Sequence, residues 1–283
     1  MRAGERAGVA TAAKKLPAVD SAPAATGKPS PAAAGKSPPA AANSPVAPGA
    51  FITVEGADGA GKTTHLDFIE RHLRSHGHAV TRSREPGGTA LGERLRGLLL
   101  GGLDADADAA ISDRAELLLV FAARAQHLDE VIAPALAAGR WVLCDRFTDA
   151  TYAYQGGGRG LDARAIAVLE QWTHGELQPD LTLLLDVPVE VGQARTRRRE
   201  QAAEQSAQAD HADRADRFER ESTEFKQAVR AAYLARAAQF PARIKRIDAA
   251  VGIAQVRAEL QTVLDAFGRA RQTGKPRQAS QNA

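Results

Sequence analysis

The chain has 283 residues, of which 44% are hydrophobic and 25% are charged, and its formal net charge is +3. The positive excess lies at the ends, because residues 1–49 and residues 269–283 each carry +4 while the residues between them carry −5. This balance excludes a general attraction of the middle part to nucleic acid, and the absence of an 18-residue apolar run excludes a membrane span.

The two ends also differ from the middle in composition. Residues 1–49 contain 16 alanines, 8 prolines and no aromatic residue, so they lack the apolar surface that would offset the entropy cost of folding. We predict a disordered extension at 1–49, one α/β domain at 50–268 and a disordered polar tail at 269–283. No apolar segment typical of a secretory signal precedes the domain, and we expect a cytoplasmic location.

The first predicted strand, at 51–54, leads into a glycine-rich loop and then into a helix that begins at 64. The loop fits the pattern G-x-x-x-x-G-K-[ST] at every fixed position. Its backbone N–H groups and the helix N-terminus form an anion site, the lysine reaches the β- and γ-phosphates, and the threonine hydroxyl ligates Mg²⁺. The sequence therefore predicts ATP or GTP binding by Gly56, Ala57, Asp58, Gly59, Ala60, Gly61, Lys62 and Thr63.

The next elements are a second strand, a turn, a long helix and a third strand. The second strand begins at 79–81, and residues 84–89 contain a proline and two glycines, which favour a tight turn before a helix capped by Thr89. Apolar residues at helical spacing predict one helix over 115–138 that ends at Gly139. The third strand, at 141–144, holds the single cysteine, Cys144, which we expect to be a buried structural thiol in a reducing cytoplasm.

Two charged residues, Asp145 and Arg146, come directly after the third strand. A carboxylate there can hold Mg²⁺ or one of its waters, although the position also suits a helix N-cap or a simple ion pair. Arg146 can hold a second phosphate with two parallel hydrogen bonds. Residues 152–160 then offer aromatic rings for stacking, an amide that can read a base edge and what we interpret as a mobile run of glycines.

The remaining apolar runs predict a fourth strand at 181–185 and a weaker fifth at 244–247, with helices at about 189–199, 218–239 and 253–267. Apolar strands that alternate with helices are typical of a parallel sheet covered on both faces. Such sheets bind ligands outside the carboxyl ends of their strands, so we expect the loop and the residues after the strands to converge there.

A cluster of four arginines precedes a polar stretch after the fourth strand. It consists of Arg195, Arg197, Arg198 and Arg199, of which the first and last share a helix face. A charge run is usually a solvated surface, but residues 201–216 after it have low hydrophobicity and suit a flexible flap. We therefore predict a lid at about 195–217 whose arginines close over the transferring phosphates.

Together these motifs resemble those of the bacterial thymidylate kinases, over about residues 50–267. The resemblance rests on residues 56–63, 84–89, 121–124, 145–147, 153–160 and the arginines at 195–199. It implies a P-loop NTPase fold, a three-layer α/β sandwich with a five-stranded parallel sheet. It also implies transfer of the γ-phosphoryl group of ATP to dTMP, giving dTDP for dTTP synthesis, with Mg²⁺ as cofactor. The family is homodimeric, and the helix at 115–138 could supply the interface.

The resemblance further implies roles for particular residues. Phe121 would stack on the thymine ring and Arg124 would hydrogen-bond its edge. Arg146 would hold the dTMP phosphate, Tyr154 would pack near the deoxyribose, and Asp58 would face the acceptor. The implied acceptor site comprises Glu85, Pro86, Phe121, Arg124, Arg146, Thr151, Tyr154 and Gln155, and the implied Mg²⁺ ligands are Thr63 and Asp145.

The loop at 56–63 has no arginine, so the chain resembles the members whose catalytic arginine lies in the lid. The implied catalytic residues are Lys62, Arg146, Asp58, Arg199 and Arg195, with Arg199 the first choice for the lid arginine and Arg197 a further candidate. Two features depart from the family, since Ala150 stands where a serine is usual and the lid between 200 and 216 is longer. Two other activities stay open: a deoxynucleoside kinase, whose hydroxyl acceptor needs a carboxylate base, and a regulatory nucleotide-binding ATPase.

Overall fold

A computed structural model describes residues 49–101, 111–205 and 217–273. The extension predicted at 1–49 lies outside these residues apart from Gly49, as do residues 206–216 of the predicted lid and the predicted tail from 274 onward. Within the described ranges no helix is both long and apolar enough to cross a bilayer.

The described strands form one parallel sheet of five, as predicted, in the order β2-β3-β1-β4-β5. They are β1 (Phe51–Glu55), β2 (Val80–Arg84), β3 (Trp141–Asp145), β4 (Leu181–Asp186) and β5 (Ile244–Asp248). Four strands continue one residue past their predicted ends, and β2, predicted only to begin at 79–81, runs from Val80 to Arg84. Pairing extends to charged residues such as Arg84, which lies opposite Asp145. Apolar runs mark the buried part of a strand, whereas backbone pairing sets its length.

Helices cover both faces of this sheet. They are α1 (Lys62–Ser75), α2 (Ala90–Gly101), α3 (Asp113–His127), α4 (Ala133–Ala137), α5 (Thr148–Thr151), α6 (Ala163–Thr173), α7 (Val189–Gln205), α8 (Thr223–Gln239) and α9 (Ile253–Gln272), with π-helical segments at Leu128–Ile132 and Tyr152–Gly158. Side chains of β1 alternate between the faces: Ile52 and Val54 share one core with α1 and α9, while Phe51 packs with residues of the first π-helical segment. The sheet is therefore buried on both sides.

The helix predicted over 115–138 is three consecutive segments rather than one regular helix. α3 begins two residues earlier than predicted, because the Ser112 side chain accepts a hydrogen bond from the backbone N–H of Ala115 (3.4 Å). The π-helical segment Leu128–Ile132 then separates α3 from α4, and apolar spacing carries no signal for such a segment. Gly139, with φ of 70°, follows α4 at the predicted end.

Other helix ends also differ from the predictions. α8 begins at Thr223 rather than 218, where the Ser222 hydroxyl accepts from the N–H of Phe225 (3.2 Å). α7 and α9 extend to Gln205 and Gln272, beyond the predicted ends at 199 and 267, because polar residues on an exposed helix face have no apolar period. α6 and the helical stretch at 148–158 have no counterpart among the predicted elements.

The glycines at 156–158, interpreted from sequence as a mobile run, serve close packing against α8. A Cβ on Gly157 would lie 2.6 Å from the Cβ of Ala232, and one on Gly158 would lie 2.4 Å from the ring of Phe225. Only glycine lets this segment approach α8 so closely. The packing fixes the position of the π-helical segment that carries Tyr154 and Gln155.

Candidate active site

The loop at 56–63 connects β1 to α1 at the carboxyl edge of the sheet. Gly56, Gly59 and Gly61 have φ of 144°, 76° and 83°, in the region that favours glycine. Space is limiting at Gly59 as well, because a Cβ there would lie 2.2 Å from the carbonyl oxygen of Gly192 in α7. The sequence and the packing thus hold the loop in a curled form at a helix N-terminus, which is the geometry of an anion site.

Lys62 folds back over this loop. Its Nζ donates hydrogen bonds to the carbonyl oxygens of Gly56 (3.1 Å) and Ala57 (3.3 Å). Burial lowers the pKa of Lys62, and the nearby charge of Arg146 lowers it further, while three carboxylates act in the opposite direction. An ammonium that is already desolvated gains much from an arriving anion, because it has little hydration left to lose.

Thr63 and Asp145, the two predicted Mg²⁺ ligands, line one cavity of about 680 Å³ beside the loop, together with Ser83 and Arg96. The Oδ1 atom of Asp145 is buried and makes no hydrogen bond to any described residue. A buried carboxylate oxygen without a partner is costly, and hydroxyl and carboxylate oxygens are the ligands that Mg²⁺ prefers. The chemistry of this pair therefore fits a bound Mg²⁺.

Arg146 connects the third strand to the loop. It has a positive φ of 69°, which is uncommon for a residue other than glycine and often marks a functional site. Its guanidinium donates to the carbonyl oxygen of Gly56 (2.8 Å) and to the carboxylate of Asp58 (3.0 Å), and lies 4.9 Å from the ring of Tyr154. Cys144 before it is buried and free, as predicted, and its thiol donates to the Arg146 carbonyl (3.1 Å).

Two residues of this region, Glu55 and Tyr233, are absent from the sequence prediction. The buried carboxylate of Glu55 accepts hydrogen bonds from the Tyr233 hydroxyl (2.8 Å) and the Phe147 N–H (2.7 Å). Arg146 in turn donates to the Tyr233 oxygen (3.0 Å). Burial, and then the charge of Asp149, raise the pKa of Glu55 to about 8. Glu55 could have been predicted as a site residue, because it is a glutamate at the end of an apolar strand, whereas nothing in the local sequence marks Tyr233.

A second cluster of predicted residues surrounds Arg124, which is only 1% exposed. Its Nε donates to Glu85 (2.8 Å), its Nη2 donates to the hydroxyl of Thr151 (2.9 Å), and its Nη1 makes no hydrogen bond to any described residue. The guanidinium lies 4.8 Å from the ring of Phe121. His127, missed by the sequence prediction, bonds the other Glu85 oxygen (2.9 Å). This pocket is therefore buried and charge-paired, with one donor left over.

The pKa of Glu85 reflects this pairing. Burial alone would raise it, but the charge of Arg124 and the hydrogen bond from His127 hold it below its ordinary value. Pro86, which follows in a cis peptide bond, accepts a hydrogen bond from Arg96 through its carbonyl oxygen (3.0 Å).

Gln155 belongs to a third cluster, centred on the buried carboxylate of Glu116 in α3. Its Nε2 donates to Glu116 (2.7 Å), which also pairs with Arg159 (3.3 Å) and with Arg217. Arg217 is the last residue of the predicted lid, and it also donates to the Leu99 carbonyl (3.2 Å). Sequence reasoning missed Glu116, Arg159 and Arg217, because their contacts join distant segments.

The lid arginines, all on α7, point to different places. Arg195 reaches the loop from the β5 side, donating to the carbonyl oxygens of Ala249 (2.8 Å) and Gly59 (3.4 Å). Arg199 pairs with Glu219 (2.6 Å). Arg197 lines a cavity of about 130 Å³ that Asp58 and Tyr154 also line. The structure thus brings Arg195 and Arg197, more directly than Arg199, to the predicted site.

Comparisons with known proteins identify the family that the chain resembles. The family model described as "Thymidylate kinase" matches residues 54–260. A thymidylate kinase of Pseudomonas savastanoi pv. phaseolicola is 55% identical over 216 residues, covering 76% of this chain and 95% of that protein. One of Teredinibacter turnerae is 53% identical over 219 residues, covering 77% and 98%. The crystal structure of thymidylate kinase from Ehrlichia chaffeensis matches with a TM-score of 0.58 and 32% identity, over 77% of this chain and 99% of that one.

Proposed function

The chain belongs to the thymidylate kinase family, and we propose that the carboxyl edge of its sheet is where it acts. It is a dTMP kinase, which phosphorylates dTMP to dTDP with ATP as the phosphoryl donor. The observation that carries the proposed location is Arg146, whose guanidinium joins the phosphate loop at Gly56 to Asp58 and Tyr154.

In this proposal, Lys62 and the loop N–H groups hold the β- and γ-phosphates of ATP, and Arg146 holds the phosphate of dTMP. An oxygen of that phosphate attacks the γ-phosphorus, a new P–O bond forms, and the bond to the ADP oxygen breaks. No general base is needed, because the attacking oxygen is already anionic; alignment and charge neutralisation supply most of the rate. Mg²⁺, held by Thr63 and Asp145, would neutralise charge on the ATP phosphates.

The pocket around Arg124 is proposed to bind the thymine base. Its support is the unpartnered Nη1, a buried donor that a carbonyl oxygen on the base edge would satisfy. Phe121 supplies an aromatic face in the same pocket. Glu85, Pro86, Thr151 and Gln155 are proposed to fix the arginine and the walls of the pocket. The hydroxyl of Tyr154 donates to Asp58 (3.4 Å), on the side of the phosphate loop.

The lid is proposed to supply the catalytic arginine, because the loop at 56–63 has none. Arg199 is the sequence-based choice, and its pairing with Glu219 would have to open. Arg197 is supported by lining the same cavity as Asp58 and Tyr154. Changing Arg195, Arg197 and Arg199 singly to alanine ranks them, since the catalytic one should lower kcat by orders of magnitude with little change in ATP affinity.

A homodimer is also proposed. Within the described ranges, exposed apolar side chains lie on two helices that pack together: Leu118 (57% exposed) on α3, and Val168 (69%) and Trp172 (83%), four residues apart, on α6. Exposed apolar groups of this size usually mark a contact surface. The interface predicted for the helix at 115–138 would thus include α6. Trp172→Glu should convert a dimer into a monomer in light-scattering measurements, and a wild-type chain that is monomeric throughout would refute the proposal.

The test of the acceptor is an ADP-release assay with ATP and Mg²⁺ that compares dTMP, thymidine, other monophosphates and no acceptor. Turnover with dTMP alone supports the proposed site. Preference for thymidine would instead support a deoxynucleoside kinase, and slow ADP release that ignores the acceptor would support a regulatory ATPase. The Arg124→Ala variant adds a check on the site, because it should affect the KM for dTMP more than that for ATP.

A further inference from the structure

Away from the active site, two histidines and an aspartate converge where α1 packs on α9. His72 lies in the last turn of α1 and His76 is the residue that caps its C-terminal end, and the centroids of their rings are 4.4 Å apart. Asp265 reaches them from α9. One ligand atom from each lies within 4.8 Å of the others. The two helices that carry them are held together by shared core residues: Leu66, Ile69, Leu73, Val256, Leu260 and Leu264.

The hydrogen bonds of His76 fix the tautomer of its neutral ring. Its Nδ1 is 2.8 Å from the carbonyl oxygen of His72, which can only accept, so the proton lies on Nδ1. The lone pair is then on Nε2, and this atom lies 3.8 Å from the carboxylate oxygen of Asp265. The Nε2 of His72 lies 2.8 Å from that same oxygen. Two imidazole nitrogens and one carboxylate oxygen thus converge, and all three are atoms that can ligate a cation.

We propose that His72, His76 and Asp265 bind a divalent transition-metal ion of the Zn²⁺ type. Imidazole nitrogen and carboxylate oxygen are ligands of this class of ion, at about 2.0–2.2 Å. Tetrahedral ligands at such bond lengths are about 3.3 Å apart, and the observed separations from the Asp265 oxygen, 2.8 and 3.8 Å, lie on either side of that value. All three ligand atoms lie within 4.8 Å of one another, so side-chain rotations can bring them to one ion, and a water completes the coordination.

Two of the three proposed ligands are largely buried, and the third is exposed to solvent. His72 and Asp265 are 10% and 28% exposed at their side chains, whereas His76 is 55% exposed, which provides a path for the ion. α1 begins at Lys62 in the phosphate loop and ends at Ser75 beside this cluster. A bound ion ties that far end of α1 to α9, so its effect is on the stability of the fold rather than on the chemistry at the loop.

The experiment uses the full chain, without an affinity tag, stripped with a chelator and then titrated with ZnCl₂ in a buffer that contains Mg²⁺. Mg²⁺ prefers oxygen ligands and does not compete for this site. Calorimetry should show saturable Zn²⁺ binding, and one equivalent of Zn²⁺ per chain should be lost when a ligand residue of the cluster is mutated. At a free Zn²⁺ concentration a hundredfold above Kd, the Tm should rise by about 5–10 °C. Binding should weaken at acidic pH, because protons compete for the imidazoles.

Two variants and one control decide the assignment. His76→Ala and Asp265→Asn should each lower the Zn²⁺ affinity at least tenfold and remove most of the Tm shift, measured from each variant's own metal-free Tm. His78→Ala is the control, since His78 is nearby but stacks on Trp141 and lies outside the cluster. Co²⁺ should give a visible absorption band in wild type and in H78A but not in H76A. Absence of saturable Zn²⁺ binding in wild type, or unchanged affinity in H76A and D265N, overturns the proposal.

Discussion

The phosphate loop and the pocket around Arg124 lie at the same edge of the sheet but differ in whether their buried charged groups have protein partners. At the loop, burial lowers the pKa of Lys62 and raises that of Glu55 to about 8, and an oxygen of Asp145 has no partner among the described residues. Burial thus disfavours the charged forms of Lys62 and Glu55, and it leaves the Asp145 oxygen without a hydrogen bond from any described residue. The loop is therefore electrostatically incomplete until phosphates and a cation arrive.

In the pocket around Arg124 and in the third cluster, around Glu116, protein partners by contrast already neutralise the buried charges. Glu85 is bonded by Arg124 and His127, and its pKa is lowered despite burial. Glu116, fully buried, is shared by Gln155, Arg159 and Arg217. The difference suggests a division of roles: the loop gains its stabilisation from highly charged ligands, whereas the base pocket is preformed and needs only a neutral ring. Mutations in the two regions should accordingly have different costs.

The largest effect is expected for Arg124→Ala, which leaves the buried carboxylate of Glu85 with His127 as its one remaining hydrogen-bond partner among the described residues. Breaking a buried ion pair from one side typically lowers the free energy of unfolding by about 3–5 kcal/mol. Urea denaturation at pH 7 measures this, and the kcat/KM for dTMP should fall as well. Adding Glu85→Gln should restore part of the stability but not the activity.

The matched control for this variant is Arg164→Ala, since Arg164 pairs with Asp162 on the surface. We expect no measurable loss of stability there. A stability loss in R124A no greater than that in R164A would contradict the idea of a preformed, charge-paired pocket.

The next largest effect is expected for Lys62→Ala, which should lower activity strongly but change stability little. Removing a donor aimed at transition-state charge typically lowers kcat by about 10²–10³. Stability should change by less than about 1 kcal/mol, because the ammonium is desolvated and bonded only to two carbonyl oxygens. The control for both kcat and stability is Lys245→Ala on β5, because the amine of Lys245 also donates to a carbonyl oxygen. If K62A unfolds as easily as R124A, the two regions do not differ as described.

A third test uses pH. Because the pKa of Glu55 is raised from 4.5 to about 8 in the folded state, the folded chain binds an extra proton between these values. The contribution of Glu55 is thus fully present below pH 4.5 and is lost as pH rises through about 8. Stability should fall by about 1 kcal/mol per pH unit across this window, relative to Glu55→Gln. Parallel pH profiles for the two proteins in urea denaturation would show that Glu55 is ionised like an ordinary glutamate.

The same contrast explains how much the sequence could predict. The loop at 56–63, Asp145 and Arg146 belong to one short motif or follow directly from a strand end, and parallel strands bring such ends together. The sheet was predictable because β1, β3 and β4 are mostly apolar runs that alternate with helical segments, whereas β2 and β5 gave weaker signals. The partners of the third cluster are different, since Arg217 and Glu116 are 101 residues apart and nothing local joins them. The π-helical segment Leu128–Ile132 likewise leaves no mark on apolar spacing.

The smallest expected effect concerns Tyr233, a residue with no sequence signal that nevertheless bonds both Arg146 and Glu55. Tyr233→Phe keeps the ring and removes the hydroxyl, so Arg146 loses one of the contacts that aim it at the loop. A hydrogen bond of this kind contributes about 1 kcal/mol, which predicts a three- to tenfold lower kcat/KM for dTMP. Glu55 also loses a bond that lowers its pKa, so the pH window of stability should move upward.

Tyr152→Phe is the matched control, because that hydroxyl also donates to a glutamate, Glu170, but at a distance from the loop. Its kinetics should match wild type, even if its stability drops as much as that of Y233F. Comparing Y233F with Y152F therefore distinguishes the general effect of losing a hydrogen bond from the specific effect of displacing Arg146. Equal kinetic effects in both variants would mean that Tyr233 only supports the fold, and the loop would then owe the placement of Arg146 to Gly56 and Asp58 alone.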